Sequence, residues 1–294
     1  MVTRPRLVVF TLCAVLAGVT ARAEEFDRTV PAARGTRLEL RLFGGTVVVR
    51  AWDRDAVRVR ATHFRTDAIE VSTSNEVVRV GARSRQGQPH AIDFQIDVPA
   101  WMAVNLAGAY LDVTVEGTRA DVVAQTVRGN VRVKGGAGTI SLKSVEGEVV
   151  LEGASGRAEL SSANNLVRVA TLHGDLFADT VTGGVKVQGV DGGSVEVGTM
   201  SGDIWWDGTM TANGRYQFVT HSGDLDVVLD GRANATLSIR TFEGHVRAAF
   251  PLDLPDEKSR RKRFEVVVGS GAARVELETF SGVLSLRRPT GSLR

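Results

Sequence analysis

Glycine recurs every nine residues through the middle of this chain, and that spacing restricts the fold more than any other feature. Gly129, Gly138, Gly147 and Gly156 are followed by Asn165 as the one substitute, then by Gly174 and Gly183, and one-residue slips give Gly193 and Gly202. After each comes an apolar–any–apolar triplet with the period of a strand, such as Val131-Arg132-Val133, Ile140-Ser141-Leu142, Val167-Arg168-Val169, Val185-Lys186-Val187 and Val195-Glu196-Val197. Each module therefore reads as a turn plus one short strand. The unit continues with wider spacing at Gly223, Gly244 and Gly282.

A second regularity doubles the repeat. Three residues before alternate turns lies a hydroxyl residue: Thr126, Ser144, Ser162, Thr180, Thr199, Thr220, Thr241 and Thr279. A period of 18 to 21 residues with two strands per period describes a coil whose rungs stack in parallel. The expected fold is all-β, a right-handed parallel β-solenoid, the hand following from the strong bias of parallel crossovers. Apolar triplet positions point inward, and like residues stand about 4.8 Å apart along the axis.

Residues 24–105 read as β with less regularity and serve as the expected N-terminal cap, since an open solenoid end templates aggregation. The repeats then occupy 106–288 and a short tail 289–294. The charged stretch Asp256 to Arg263 interrupts the pattern and is expected to be a solvated loop within the last rungs.

The first 23 residues carry Arg4 and Arg6, an apolar run from Leu7 to Val19, and Ala21-Arg22-Ala23 ahead of Glu24-Glu25. This is the pattern of a secretory signal peptide, its apolar run too short for a permanent span. Export to the periplasm, the cell surface or the medium is expected, with no membrane span after cleavage. The whole chain has 36 basic and 34 acidic residues; losing Arg4, Arg6 and Arg22 with the leader leaves 33 against 34. Such neutrality excludes a polybasic nucleic-acid binder. One cysteine, Cys13, excludes a disulfide framework and a Cys-based metal cluster.

These features resemble the bacterial "putative adhesin" family of exported β-strand-repeat domains of unknown function. The matching residues are Gly45-Thr46-Val47-Val48-Val49-Arg50-Ala51-Trp52-Asp53, Ile96-Asp97-Val98-Pro99, and the run of Thr/Ser-x-x-Gly-x-apolar-x-apolar units. The resemblance implies a β-solenoid at or near the cell surface and brings no catalytic residue with it.

Candidate sites come from the outward-facing middle residues of the triplets. On one side the expected row is Arg132, Val150, Arg168, Lys186, Trp205, Asp226, Arg247. Arg132, Arg168, Lys186, Trp205 and Arg247 would form a binding surface for an anionic or saccharide polymer, with Trp205 as the stacking platform. An ordinary solvated face is the plainer alternative. The opposite row, Ser141, Glu159, Phe177, Glu196, holds two acids about 9.6 Å apart, at the upper end for an inverting glycosidase pair, though Phe177 would stand between them. Asp203 and Asp224 at adjacent turns suggest a weak Ca²⁺ site, against turn carboxylates that bond backbone N–H groups. The glycines that repeat Ca²⁺ sites need are missing, so no metal and no cofactor is expected. His63, His90, His173, His221 and His245 never fall at metal-pair spacing, and His221-Ser222-Gly223-Asp224 is a product of the repeat, since adjacent strand residues face opposite ways. Trp52, Trp101 and Trp206 fall at inward or cap-like positions.

The expected function is therefore a non-enzymatic, adhesin-like binding or structural module of the cell envelope, with a surface polysaccharide or envelope protein as partner and a homo-oligomer left open. The alternatives are a polysaccharide-active β-helix enzyme using Glu159 and Glu196, or an accessory to envelope-stress signalling.

Overall fold

The structure is a computed structural model, and it describes residues 24–85, 87–229, 233–251 and 263–289. The expected signal peptide, the stretch 256–262 of the charged loop and the last five residues of the tail lie outside the described residues.

The described residues form strands and turns with no helix. The N-terminal region supplies β1 (Glu24–Pro31), β2 (Arg37–Trp52), β3 (Ala56–His63), β4 (Asp67–Ser74), β5 (Val77–Ser84), β6 (Asp93–Pro99) and β7 (Val104–Glu116). The regular repeats supply β8 (Val122–Arg128), β9 (Val131–Lys134), β10 (Ala137–Glu146), β11 (Val149–Ser162), β12 (Val167–His173), β13 (Leu176–Thr180), β14 (Val185–Val190), β15 (Ser194–Ser201), β16 (Ile204–Asp207), β17 (Arg215–Ser222) and β18 (Leu225–Val228). The wider repeats give β19 (Ala235–Thr241), β20 (His245–Ala248), β21 (Arg263–Val268), β22 (Ala273–Ser281) and β23 (Val283–Arg287).

Two parallel stacks enclose one core, so the molecule is the β-solenoid the repeat announces. The first stack runs through β8, β10, the second half of β11, β13, β15 and β17. The second runs through β9, the first half of β11, β12, β14, β16 and β18. Register advances by 18 residues in Ile140–Ala158–Leu176, by 19 to Val195 and by 21 to Tyr216, so the one- and three-residue slips are absorbed in loops. Alternation does the rest: Leu142, Leu160, Val197 and Phe218 of the first stack face Val131, Val149, Val167 and Leu225 of the second, all fully buried.

At the first corner the hydroxyl column is buried rather than displayed. Ser162, fully buried, donates to the Gly147 carbonyl at 2.9 Å, and Ser144 does the same to Gly129 at 2.8 Å, Thr199 to Gly183 at 2.9 Å and Thr220 to Gly202 at 3.1 Å. Each hydroxyl thus ties its rung to the turn of the rung before, satisfying a carbonyl that the corner removes from the ladder. Glycine is required beside it because the stacked turns touch: a Cβ on Gly147 would lie 1.8 Å from the Gly129 carbonyl oxygen. The second corner bends through left-handed residues, Gly153 at φ 63°, Thr171 at 58° and Gly189 at 64°, with Ala154, Leu172 and Val190 filling its inside.

Stacking order departs from chain order at both ends. The expected succession places the Gly244 module against the Gly223 module. Instead β22 and β23 lie against β17 and β18, and β19 and β20 stack outside them. The inner of the two late rungs buries Leu284 and Leu286, whereas the outer carries the smaller, half-buried Val246 and Ala248, and the long connection between β20 and β22 lets the chain step back inward. β21 is no rung at all: it runs antiparallel on β19 and closes that edge.

The N-terminal end repeats the manoeuvre. β2 pairs with β7 on one side and with β5 and β6 on the other, all in parallel, so the stack reaches into the region expected to be only a cap. The covering is left to antiparallel strands, β4 on β5, β3 on β6 and β1 on β3. The β4–β5 hairpin turns on Asn75 and Glu76, both at positive φ, the two-residue turn whose twist suits such a pair.

Candidate functional site

The second stack brings the expected basic row into register as Arg132, Val150, Arg168, Lys186, Trp205 and Asp226 on successive rungs. Arg247 does not follow: Ser285 of the interleaved β23 comes next, and Arg247 lies beyond it. The stacking exchange at that end therefore adds a second rung, that of Ser285, between Trp205 and Arg247. Arg132 and Arg168 both reach toward the Glu148 carboxylate, at 3.1 and 3.8 Å, and Val150 on the rung between them is only 8% exposed. Lys186 holds its ammonium 4.8 Å from the centre of the Trp205 ring, and Arg287 binds Asp226 at 2.8 Å. The usable part is the short run Arg168, Lys186, Trp205, with one carboxylate already drawing on its charge.

On the first stack the row Ser141, Glu159, Phe177, Glu196 is in register, with Phe177 between the two acids. Glu159 is bound by Lys143, and Phe177 separates it from Glu196. Beside this row lies Asp179, which the triplet rule passes over because it sits one pleat farther along. Burial pushes its carboxyl above the ordinary range, and the Glu159 charge adds to that; the Ser161 hydroxyl at 3.3 Å and the Lys143 charge oppose it.

The turn carboxylates bond backbone, but across rungs rather than locally. Asp203 Oδ1 accepts from the Asp224 N–H and Asp224 Oδ1 from the Val283 N–H, both at 2.8 Å. No cluster of three or more His, Cys, Asp or Glu side chains able to hold a metal occurs among the described residues. His173 pairs with Asp191 at 2.7 Å, His90 with the buried Asp67 at 2.8 Å, and His221 stacks on Phe280, while Asp224 accepts from the Val283 N–H. Trp206 is fully buried against Phe218, whereas Trp52 and Trp101 are half-exposed under Arg54 and Arg34.

The sequence reading missed a column at the first corner. The residue following each ladder hydroxyl points outward, and it is apolar in most rungs: Val127, Val145, Val181, Met200 and Phe280 are 38–57% exposed. Because the hydroxyls are in register, these side chains form one straight ridge, with Ala109, Ala163 and His221 filling its remaining rungs and Phe43 at its N-terminal end. Phe280 stacks between His221 and Phe242, each at 4.7 Å. The signal lay beside the hydroxyl ladder all along, one position on, where a solvated turn should carry polar residues.

Residues 36–287 match the family described as Toastrack DUF4097. No curated protein matches the chain. Among solved structures, a putative cell adhesion protein from Clostridium sporogenes is 10% identical, covering 91% of this chain and 100% of its own, with a TM-score of 0.25. A putative adhesin from Bacteroides fragilis is 12% identical, covering 91% and 98%, with a TM-score of 0.45. A putative adhesin from Parabacteroides distasonis is also 12% identical, covering 90% and 98%, with a TM-score of 0.42.

Proposed function

The chain belongs to the Toastrack DUF4097 family, and from that premise we propose that it is a non-enzymatic binding module of the cell envelope that holds an anionic or saccharide polymer along Arg168, Lys186 and Trp205. The observation that carries this reading is the register of those three residues on consecutive rungs, with the ammonium of Lys186 over the Trp205 ring. A flat indole stacks on sugar rings, and neighbouring cations pair with carboxylate or sulfate groups at a repeat of about 4.8 Å. Single contacts of this kind are weak, and a rigid row compensates because a polymer that binds one rung is held beside the next. The leader pattern of residues 1–23 supports export to the periplasm or surface.

The reading is tested by a screen of glycans and envelope polymers against the wild type and a Trp205→Ala/Arg168→Ala/Lys186→Ala variant, with folding checked by thermal melt. Saturable binding by the wild type, lost in the folded variant and unaffected by Glu159→Gln, supports it. Absence of binding by the wild type, or binding that survives the triple substitution, retires the row.

A further inference from the structure

We propose that the apolar ridge of the first corner is a membrane-docking edge, which rests its Val, Met and Phe side chains in the interfacial region of a lipid bilayer. The ridge is separate from the Arg168–Trp205 row, and nothing in the preceding proposal requires it. Exposed apolar side chains scattered singly are normal, but a line in which they recur on most successive rungs marks an interaction surface. From Phe43 to Phe280 the line crosses about 40 Å of strand stacking.

Its shape selects the partner. A convex edge one side chain wide offers on the order of 500 Å² per copy, under the roughly 800 Å² per partner of a stable protein interface, so two ridges meeting would make a poor dimer. Strand addition is closed as well, because the corner backbone is spent between rungs: Ala163 N–H donates to Ser144, and both Val181 and Thr182 N–H donate to Ala163. A bilayer needs neither a matching groove nor an open edge. It accepts a straight ridge of any length between its headgroups.

The flanks fit the same occupant. On one side of the ridge the next column reads Asn164, Thr182, Ser201, Ser222 and Ser281, uncharged groups suited to headgroup depth. Charges flanking the ridge are engaged, Arg128 with Glu146, Lys143 with Glu159, Arg240 with Glu278, and Asp179 with the Ser161 hydroxyl, so no like-charge field either repels or requires anionic lipid. Tyr110, beside Phe43 at 5.2 Å, and His221 beside Phe280 put aromatic rings with polar atoms near the two ends, the arrangement favoured at a membrane interface.

The test is flotation with phosphatidylcholine vesicles, at low and high salt, of the full chain and of a Val145→Ser/Val181→Ser/Met200→Ser variant prepared identically. Sharing one N terminus, the two differ only at the ridge. The expected result is salt-insensitive partitioning of the wild type that falls at least about tenfold in the variant, with an unchanged melting temperature. Met200→Lys alone should reduce it in the same direction and guards against misfolding of the triple variant. The Trp205→Ala/Arg168→Ala/Lys186→Ala protein should float like the wild type, which separates the two surfaces. Equal partitioning of ridge variant and wild type, binding only to anionic vesicles at low salt, or a dimer in solution that the ridge substitutions dissolve would each overturn the proposal.

Discussion

Thr279 donates its hydroxyl to the carbonyl of Gly223, 56 residues earlier and 3.4 Å away. In the regular rungs the same bond spans 15 to 18 residues, as from Ser162 to Gly147 or Thr220 to Gly202. One hydrogen bond therefore records that β22, and not β19, is the rung laid on β17.

That order is checked by cross-linking. Ser222 and Ser281 are register partners on adjacent strands, so the Ser222→Cys/Ser281→Cys protein should oxidise to an intramolecular disulfide. Ser222→Cys/Glu243→Cys should not, because Glu243 lies on the far side of β22, about 9.6 Å from Ser222 and beyond disulfide reach. Non-reducing electrophoresis with the opposite outcome would restore the sequential stacking.

The hydroxyl ladder should be measurable one rung at a time. Ser162→Ala removes a buried donor to Gly147 and an acceptor for the Asn165 N–H, at a cost of about 1–3 kcal/mol, and Ser162→Thr should recover most of it because threonine fills the equivalent place in other rungs. Gly147→Ala should cost more, about 3 kcal/mol or above, since the added methyl meets a carbonyl held by the same ladder. Gly193→Ala, with open space and ordinary φ, should stay within about 0.5 kcal/mol in the same chemical denaturation series.

Thr171 is a stabilisation site. It holds φ at 58° between rungs that place Gly153 and Gly189 at the same bend, and a β-branched side chain is ill suited to that region. Its side chain is exposed, so Thr171→Gly should raise stability by about 0.5–1 kcal/mol, the relief of strain exceeding the entropy lost on fixing glycine. A lower midpoint of denaturation would show that the threonine is held there by something other than the bend.

Two carboxylates should move stability with pH in opposite directions. For Asp67, 4% exposed, burial pushes the pKa up, but hydrogen bonds from the His90 side chain, Ser84 and the His90 backbone outweigh it and hold the group below its usual value. Its contribution is present above the ordinary carboxylate pKa of about 3.9 and is lost as pH falls through the lower folded value. Asp67→Asn should therefore melt below the wild type at neutral pH, the gap closing in acid. Asp179 has the reverse sign: its raised folded pKa favours the protonated form, a contribution present in acid and lost as pH rises through that value. Asp179→Asn should melt above the wild type at pH 7 and converge with it below about pH 4. Parallel pH dependences for the two variants would contradict both assignments.

The solenoid was legible because its cause is local. Glycine is demanded wherever turns stack within carbonyl reach, as at Gly147, and a hydroxyl wherever a turn carbonyl lacks a partner, as at Ser162; both print their period into the sequence. The order of rungs at the ends is not local. The triplets at Gly244 and Gly282 share the apolar–any–apolar pattern, so the pattern alone does not say which lies against Gly223; in the assembled stack Leu284 and Leu286 are buried while the smaller Val246 and Ala248 are only half-buried. The register of the outward row was legible as far as Asp226 and failed at Arg247 for that same reason. The ridge was not legible, because Val145 or Met200 beside the glycines and hydroxyls looks like one more hydrophobe until the register shows that it points outward.

The interleaved rung also sets a timetable for the newly made chain. Synthesis delivers β19 and β20 before the strands that must separate them from β17 and β18. Until β22 and β23 arrive, four edges wait with unpaired N–H and C=O groups, and any β-prone chain nearby can take the vacant berth. Once they have slid in, the outer rung cannot dock onto the wrong neighbour, and β22 and β23 cannot peel away like the last slat of a blind, because each is gripped from both sides. Ribosomal truncation within β22 would thus yield an aggregation-prone remnant rather than a solenoid one rung shorter.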